Sequence, residues 1–345
     1  MTNRADVSAS RPAVLNFEPS HQAAAKVSTG SLPSATHIDD VLETAYQRYL
    51  PLTEGNVADY IPSLGNADPA KFGLAMANTD GKIITRGDAH DLFSIQSISK
   101  AFVFALVCDA VGHQTVHDLV GVNNTGLPFN SVMALELNGG NPLNPMVNAG
   151  ALATTALAPG NTLSQKWDFI LAGLSAFAGR QLALDLEVYA SESATNQRNQ
   201  ALSLLLQSYG RMPFNPLGIT DIYTKQCSLN VSAKDLAIMA VTLADGGVNP
   251  VTGQQVVSAP VARDTLAVMA SAGLYEMSGD WLYEVGMPGK SGVSGGIIAV
   301  SPGKGAFASF SPPLDSAGNS VRGKNATRFL ARALGLDIFA SQHQD

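Results

Sequence analysis

Ser97 and Lys100 stand three residues apart in the run Phe93-Ser94-Ile95-Gln96-Ser97-Ile98-Ser99-Lys100. The run opens the most apolar segment of the chain, Ala101 to Cys108. On a helix, residues three apart share one face, with Cβ atoms about 5–6 Å from each other. A lysine amine at that spacing can reach a serine hydroxyl one turn earlier. Apolar side chains fill most positions from Ile98 to Val111, so little water reaches the amine. Desolvation disfavours the charged lysine and lowers its pKa, which is what a lysine needs to take a proton from serine. The chemistry implied is attack of a serine oxygen on an acyl group, with lysine as the base.

A second pattern, Lys290-Ser291-Gly292, follows much later in the chain. Serine enzymes that use Ser-x-x-Lys carry a later Lys-Thr-Gly, of which this is a near variant. The middle element of such enzymes, Ser-Asp-Asn or Tyr-x-Asn, is absent in plain form, and Tyr223-Thr224-Lys225-Gln226-Cys227-Ser228 stands instead. His113 and His117 have a spacing that can share a metal, but Gln114 occupies the position where the zinc-protease pattern requires Glu. No third ligand is evident and the pair reads as part of a turn region, so no metal site is expected.

The elements that must position these residues follow from periodicity. His37 to Leu50 has helical spacing and stops at Pro51. Phe72–Met76 and Lys82–Thr85 read as strands joined through Asn78-Thr79-Asp80-Gly81, a hairpin signal. The Ser97 helix comes next and ends near Gly112. From Gly112 to about Ser271 the pattern is helical, with candidates at 148–157, 162–178, 195–209 and 232–244. Ser232-Ala233-Lys234-Asp235 resembles a capping box, and Pro260 sits in the first turn of another helix. Strand character returns at 295–300 and 306–311 around Ser301-Pro302-Gly303-Lys304-Gly305, and 322–336 is a closing amphipathic helix. Trp167, Phe169 and Phe177 read as core. The order is sheet, helical insertion, sheet, helix, with an antiparallel sheet implied by the hairpin.

Composition narrows the classes. The chain has 345 residues, 46% of them hydrophobic, which is enough for one large core or two linked ones. Charged residues make up 14%, with 21 basic against 28 acidic and a net charge of −7, and no basic cluster. That balance excludes a nucleic-acid or anionic-membrane surface. Cys108 and Cys227 make no disulfide framework. Residues 1–35 are rich in Ser, Ala, Thr and Pro without the apolar run of a secretory signal, so they are expected to form a disordered leader. No stretch reaches the roughly 18 apolar residues of a membrane span. A soluble cytoplasmic protein is expected.

From the residues alone Glu192 reads as an ordinary exposed carboxylate. Tyr60 reads as a core aromatic with its hydroxyl at the surface, Asn148 and Asn199 as loop caps, and Tyr275 as packing. Several longer runs change that reading. Ala58-Asp59-Tyr60-Ile61-Pro62, Gln96-Ser97-Ile98-Ser99-Lys100, Asn144-Pro145-Met146-Val147-Asn148-Ala149-Gly150-Ala151, Lys290-Ser291-Gly292-Val293 and Gly318-Asn319-Ser320-Val321-Arg322-Gly323 resemble the serine-dependent glutaminase family. The resemblance covers residues 38 to 338. It implies an α+β, β-lactamase/transpeptidase-like fold, with an antiparallel sheet flanked by helices (36–111 and 272–345) and a helical subdomain (112–271). It also implies hydrolysis of L-glutamine to L-glutamate and ammonia with no cofactor or metal, in a homodimer or homotetramer.

Carried over, Ser97 is the nucleophile and Lys100 its base. Tyr60 and Tyr223 are the site tyrosines. Asn148, Glu192 and Asn199 hold the amino-acid end of the substrate, and Tyr275 and the backbone of Val293 complete the site. Glu192 suits a substrate ammonium, while Asn148, Asn199 and Tyr275 offer donors to its carboxylate. Glu192 and Asn199 would share a helix face if the segment were one helix. Lys290 is left to structure or pocket charge. Where the family usually has glycine after Lys-Ser-Gly-Val, this chain has Ser294, whose Cβ is expected to narrow the pocket. A penicillin-interactive hydrolase of the same fold, whether β-lactamase, peptidase or esterase, is the alternative.

Overall fold

The computed structural model describes residues 31–341. Nearly all of the expected leader lies outside them. The first helix, Ala35–Tyr49, is capped by the Ser34 hydroxyl, which accepts from the His37 N–H.

The chain builds an α+β molecule on a five-stranded antiparallel sheet. With β1 Gly73–Asn78, β2 Ile83–Gly87, β6 Gly289–Ser291, β7 Gly296–Ser301 and β8 Gly305–Phe310, the strand order is β2-β1-β8-β7-β6. The predicted hairpin is β1–β2, paired from Gly73↔Gly87 to Ala77↔Ile83. Its turn places Gly81 at φ +79°, a conformation that costs glycine nothing. The late strands 295–300 and 306–311 are β7 and β8.

Alternation along each strand divides the side chains between two cores. Leu74, Met76, Ile297, Ala299 and Phe307 face the helices Ala35–Tyr49 and Val321–Ala333. Ala75, Ala77, Ile298, Val300, Ala306 and Ala308 face the helix Ala233–Ala244 and the larger core beyond it. That helix starts with the predicted capping box: Asp235 N–H donates to Ser232 Oγ at 3.1 Å, and Ser232 N–H donates to Asp235 Oδ2 at 2.8 Å.

Helix Ser99–Val111 is apolar on nearly every side because it runs through the centre of the larger core. It packs against helices Asn148–Leu157, Leu163–Ala178 and Ala259–Ala272. A small second sheet, with β3 Phe93–Ser94 and β4 Ala183–Leu184 on either side of β5 Leu229–Val231, ties the chain just before Ser97 to the end of helix Pro216–Cys227.

Three local expectations need correction. Ser97 is not within the α-helix but in a 3₁₀ turn, Gln96–Ile98, that leads into it. The stretch carrying Glu192 and Asn199 is two helices, Leu186–Thr195 and Gln197–Ser208, broken at Asn196 (φ −90°, ψ 19°). The Asn196 amide donates to Thr224 Oγ1 at 3.0 Å, which fixes the break. His113 and His117 lie on a helix, His113–Val120, and His113 pairs with Asp264 at 3.0 Å. Among the described residues no helix is long and apolar enough to cross a membrane.

Candidate active site

Ser97 sits where strand β3 turns sharply into the central helix. Gln96, just before it, has φ +49°, a backbone strain that clusters at functional turns. The turn is nevertheless well anchored. Ile95 N–H donates to Leu229 O at 2.9 Å, and Ser99 Oγ donates to Gln96 O at 2.8 Å. Gln226 in turn donates to Ser99 Oγ at 3.3 Å.

Lys100 follows in the first turn of the helix and is 1% exposed. Burial lowers its pKa to about 8, although Cys227 and Glu192 pull the other way. Its Nζ donates to Asn148 Oδ1 at 2.7 Å and to Met146 O at 3.2 Å. It lies 5.7 Å from the ring centre of Phe129 and 5.9 Å from that of Tyr223. The Ser97 hydroxyl is not bonded to Lys100. It meets Tyr275, whose own hydroxyl donates to Ser291 O at 3.3 Å.

The Asn144–Ala151 run explains itself in this setting. Asn144 Oδ1 accepts from the N–H groups of Met146 and Val147, which shapes the loop that delivers Asn148 to the first turn of its helix. At Gly150 a Cβ would stand 1.7 Å from Asn144 O, so only glycine lets the helix close on that loop. Asn148 then bridges two partners: Oδ1 accepts from Lys100, and Nδ2 donates to Asn199 Oδ1 at 2.9 Å.

Glu192 is 7% exposed, so its reading as an ordinary surface carboxylate fails. Burial raises its pKa to about 7, against the Gln96 hydrogen bond and the Lys100 charge. Gln96 Nε2 reaches both Glu192 Oε2 at 3.3 Å and Ser94 Oγ at 3.2 Å.

Tyr223 is buried one helical turn before Cys227, and burial raises its phenol well above the ordinary value. Tyr60 differs from the other site tyrosines. It is 55% exposed although protein surrounds it on most sides. Burial, then Tyr275 and Glu192, push its phenol up. Its loop is docked by Ala58 and Ile61, which pack with Val188, Val293 and Leu314. Tyr275, at φ +60°, is buried, and that burial pushes its phenol up to about 12.

Val293 lies second in the turn Gly292–Gly295, closed by Gly295 N–H donating to Gly292 O at 3.0 Å. The N–H at that position of a β-turn is not used by the turn itself. Gly292 backs onto the Ser97 turn, since a Cβ there would come 3.1 Å from Ile95 O and 3.3 Å from Gln96 Cβ. The expected crowding by Ser294 does not arise, because its hydroxyl is buried and donates to Ser94 O at 2.7 Å.

Lys290, which the sequence assigns to structure or pocket charge, lies close to this site. It is fully buried, with Nζ 4.2 Å from the ring centre of Tyr275 and donating to Ser291 O at 2.8 Å. Burial, then Lys100, lower its pKa far below the ordinary value. Both lysines are therefore pushed toward the neutral amine, each by burial first, and the Lys100 charge adds to the shift at Lys290. The Lys-Ser-Gly pattern was the signal for it. The Gly318–Gly323 run serves structure instead. Arg322 is buried and donates to the carbonyls of Leu52 and Pro69 at 2.8 Å each, and Gly323 leaves room for Ser309 Oγ. No cluster of three or more potential metal ligands occurs among the described residues.

The family model described as Glutaminase matches residues 55–339. A Glutaminase 2 from Yersinia pestis is 52% identical over 92% of this chain and 93% of its own length. Two solved structures are similar. A probable glutaminase, ybaS, has 45% identity and a TM-score of 0.88, covering 90% of this chain and all of its own. A probable glutaminase from Bacillus subtilis, complexed with 6-diazo-5-oxo-L-norleucine, has 31% identity and a TM-score of 0.78, covering 89% of this chain and 97% of its own. A strained turn at the serine brings together a buried lysine and a buried carboxylate, and with matches of this length the chain belongs to the glutaminase family, hydrolases that act on an amide.

Proposed function

We propose that the chain hydrolyses L-glutamine to L-glutamate and ammonia through a γ-glutamyl ester on Ser97, with Lys100 as base. The observation that carries this reading is the fully buried Lys100, lowered to about 8, one turn after a serine that directly follows the strained Gln96. At pH 7 roughly one molecule in ten has the amine neutral and able to accept a proton. Lys100 Nζ swings from Asn148 Oδ1 to Ser97 Oγ, a hydrogen bond that forms once substrate is in place. Ser97 Oγ attacks the side-chain amide carbon and its proton passes to Lys100. The resulting ammonium returns that proton to the leaving nitrogen, and ammonia departs. Water attacks the ester with Lys100 again as base, which releases glutamate and frees Ser97. Tyr60 and Tyr223 relay protons beside this path.

The N–H groups of Ser97 and Val293 hold the oxyanion. Ser97 is in the first turn of a helix, where N–H groups lack intrahelical partners, and Val293 is in a turn that leaves its N–H unused. Glu192 takes the substrate ammonium, while Asn148, Asn199 and Tyr275 take its carboxylate. In this reading the site draws its residues from both the sheet-bearing part, 36–111 with 272–345, and the helical part, 112–271. Cytoplasmic location and a homodimeric or homotetrameric state belong to the same reading. Met133 and Leu137, one turn apart and exposed, offer apolar surface for an interface, and sedimentation equilibrium tests it.

The test of the reaction is ammonia release from L-glutamine and L-asparagine by the wild type and by Ser97→Ala. Glutamine turnover that vanishes in the variant is expected. Turnover that survives it, or a wild type that releases no ammonia, overturns the proposal.

A further inference from the structure

We infer that Ser294 is a positioning residue that sets the Val293 N–H against the Ser97 turn, an inference that rests on the oxyanion site proposed above. Val293 lies in a turn anchored mainly to its own sheet. Gly292 N–H donates to Gly296 O at 2.9 Å, and Ser311 N–H donates to Gly295 O at 3.0 Å. Those bonds join the turn to β7 and the end of β8, on one side of the cleft. Ser97 is anchored elsewhere, through β3 to β5 and helix Pro216–Cys227. The hydroxyl of Ser294, donating to Ser94 O at 2.7 Å, crosses from the turn to the strand that delivers the nucleophile.

Ser94 extends the connection. Its hydroxyl accepts from Gln96 Nε2 at 3.2 Å, and the same amide reaches Glu192 Oε2 at 3.3 Å. One hydrogen-bonded string therefore runs from the oxyanion turn, under the nucleophile, to the carboxylate at the substrate's ammonium end. All four side chains in it are buried. A glycine at 294 has no atom with which to make the crossing bond, so this connection belongs to chains with a hydroxyl there.

An oxyanion donor acts only on the charge that develops in the transition state, so a small displacement lowers kcat and leaves ground-state binding alone. Ser294→Ala removes the crossing bond without removing the donor. The expected result is a kcat lower by about tenfold, less than outright loss of an oxyanion donor, with KM for glutamine within about twofold of wild type. A tetrahedral phosphonate analogue of glutamine should lose affinity by the same factor, while L-glutamate binds as before. Ser294→Thr, which keeps the hydroxyl, should recover most of kcat.

An unchanged kcat in Ser294→Ala overturns the inference. So do losses of kcat, analogue affinity and glutamate affinity that move together with the melting temperature, since that marks a merely structural role. Ser97→Ala assayed alongside keeps the two claims apart. Turnover surviving in that variant removes the acyl-enzyme reading itself, whereas its loss together with an unaltered Ser294→Ala removes only the positioning role.

Discussion

The start of helix Ala233–Ala244 and the floor of the cleft both bury charged side chains, and they treat them in opposite ways. At the helix start, Asp235 has partners on every side. Its oxygens accept from Arg180 at 2.9 and 2.7 Å and from the N–H and hydroxyl of Ser232 at 2.8 Å. Burial pushes its carboxyl up, but Arg180 and Ser232 outweigh burial and hold it below its usual value. On the cleft floor, Lys100 has two neutral acceptors, Lys290 one carbonyl and an aromatic face, and Glu192 one amide. Desolvation wins there, and both lysines and the carboxylate move toward their neutral forms. Complete partnering fixes the fold, whereas incomplete partnering leaves groups able to exchange a proton or bind a charged substrate.

That contrast breaks first at Lys100. Lys100→Met should lower kcat by about 10³-fold, the range for loss of a general base. Its melting temperature should be no lower than wild type, because a buried and poorly partnered amine gives way to an apolar chain of similar size. A cleft that depended on Lys100 for stability would melt earlier. Glu192→Gln should raise KM for glutamine by about 100-fold, the loss of one charge-assisted hydrogen bond, with a smaller change in kcat. Steady-state kinetics separate the two constants.

Asp235→Ala should behave in the opposite way. The helix loses the carboxylate half of its capping box and a half-open ion pair, about 2 kcal/mol together, and kcat of the folded enzyme stays as it was. Denaturant titration beside an activity assay checks both halves.

The smallest effects are expected from pH. The amine must be neutral to accept a proton, so kcat should rise as pH climbs to about 8 and level off above it. If Glu192 holds the substrate ammonium as proposed, it must be charged to do so, and KM should rise as pH falls below about 7. Stability carries its own signature. Between about 8 and 10.5 the unfolded chain keeps a proton on Lys100 that the folded chain has lost, so stability rises with pH across that window. Lys100→Met should flatten that slope.

Much of this was legible in the sequence because local chemistry announced it. The hairpin through Asp80-Gly81, the Ser232 capping box and the long apolar run after Lys100 each have a short-range cause. Helix Pro216–Cys227 lies outside the expected helices although Asn215-Pro216 is a start signal, with Asn215 Oδ1 accepting from Gly218 N–H. The break at Asn196 was not legible because it depends on Thr224, far along the chain. The burial of Glu192 was hidden for a similar reason. Its helix, Leu186–Thr195, buries little else but Val188, so its pattern reads as surface. Ser294 shows only added bulk in the sequence because its acceptor, Ser94 O, is two hundred residues away. Lys290 needed the fold to show that a lysine between two glycine-containing turns is fully enclosed.

The most direct test of the central claim is to quench the enzyme during turnover of L-glutamine and locate any adduct by peptide mass spectrometry. The account expects one γ-glutamyl group on the peptide containing Ser97, absent from Ser97→Ala, and its faster loss when hydroxylamine is added, with γ-glutamyl hydroxamate as the product. Full glutamine turnover with no such adduct, and no hydroxamate at any hydroxylamine concentration, would contradict it.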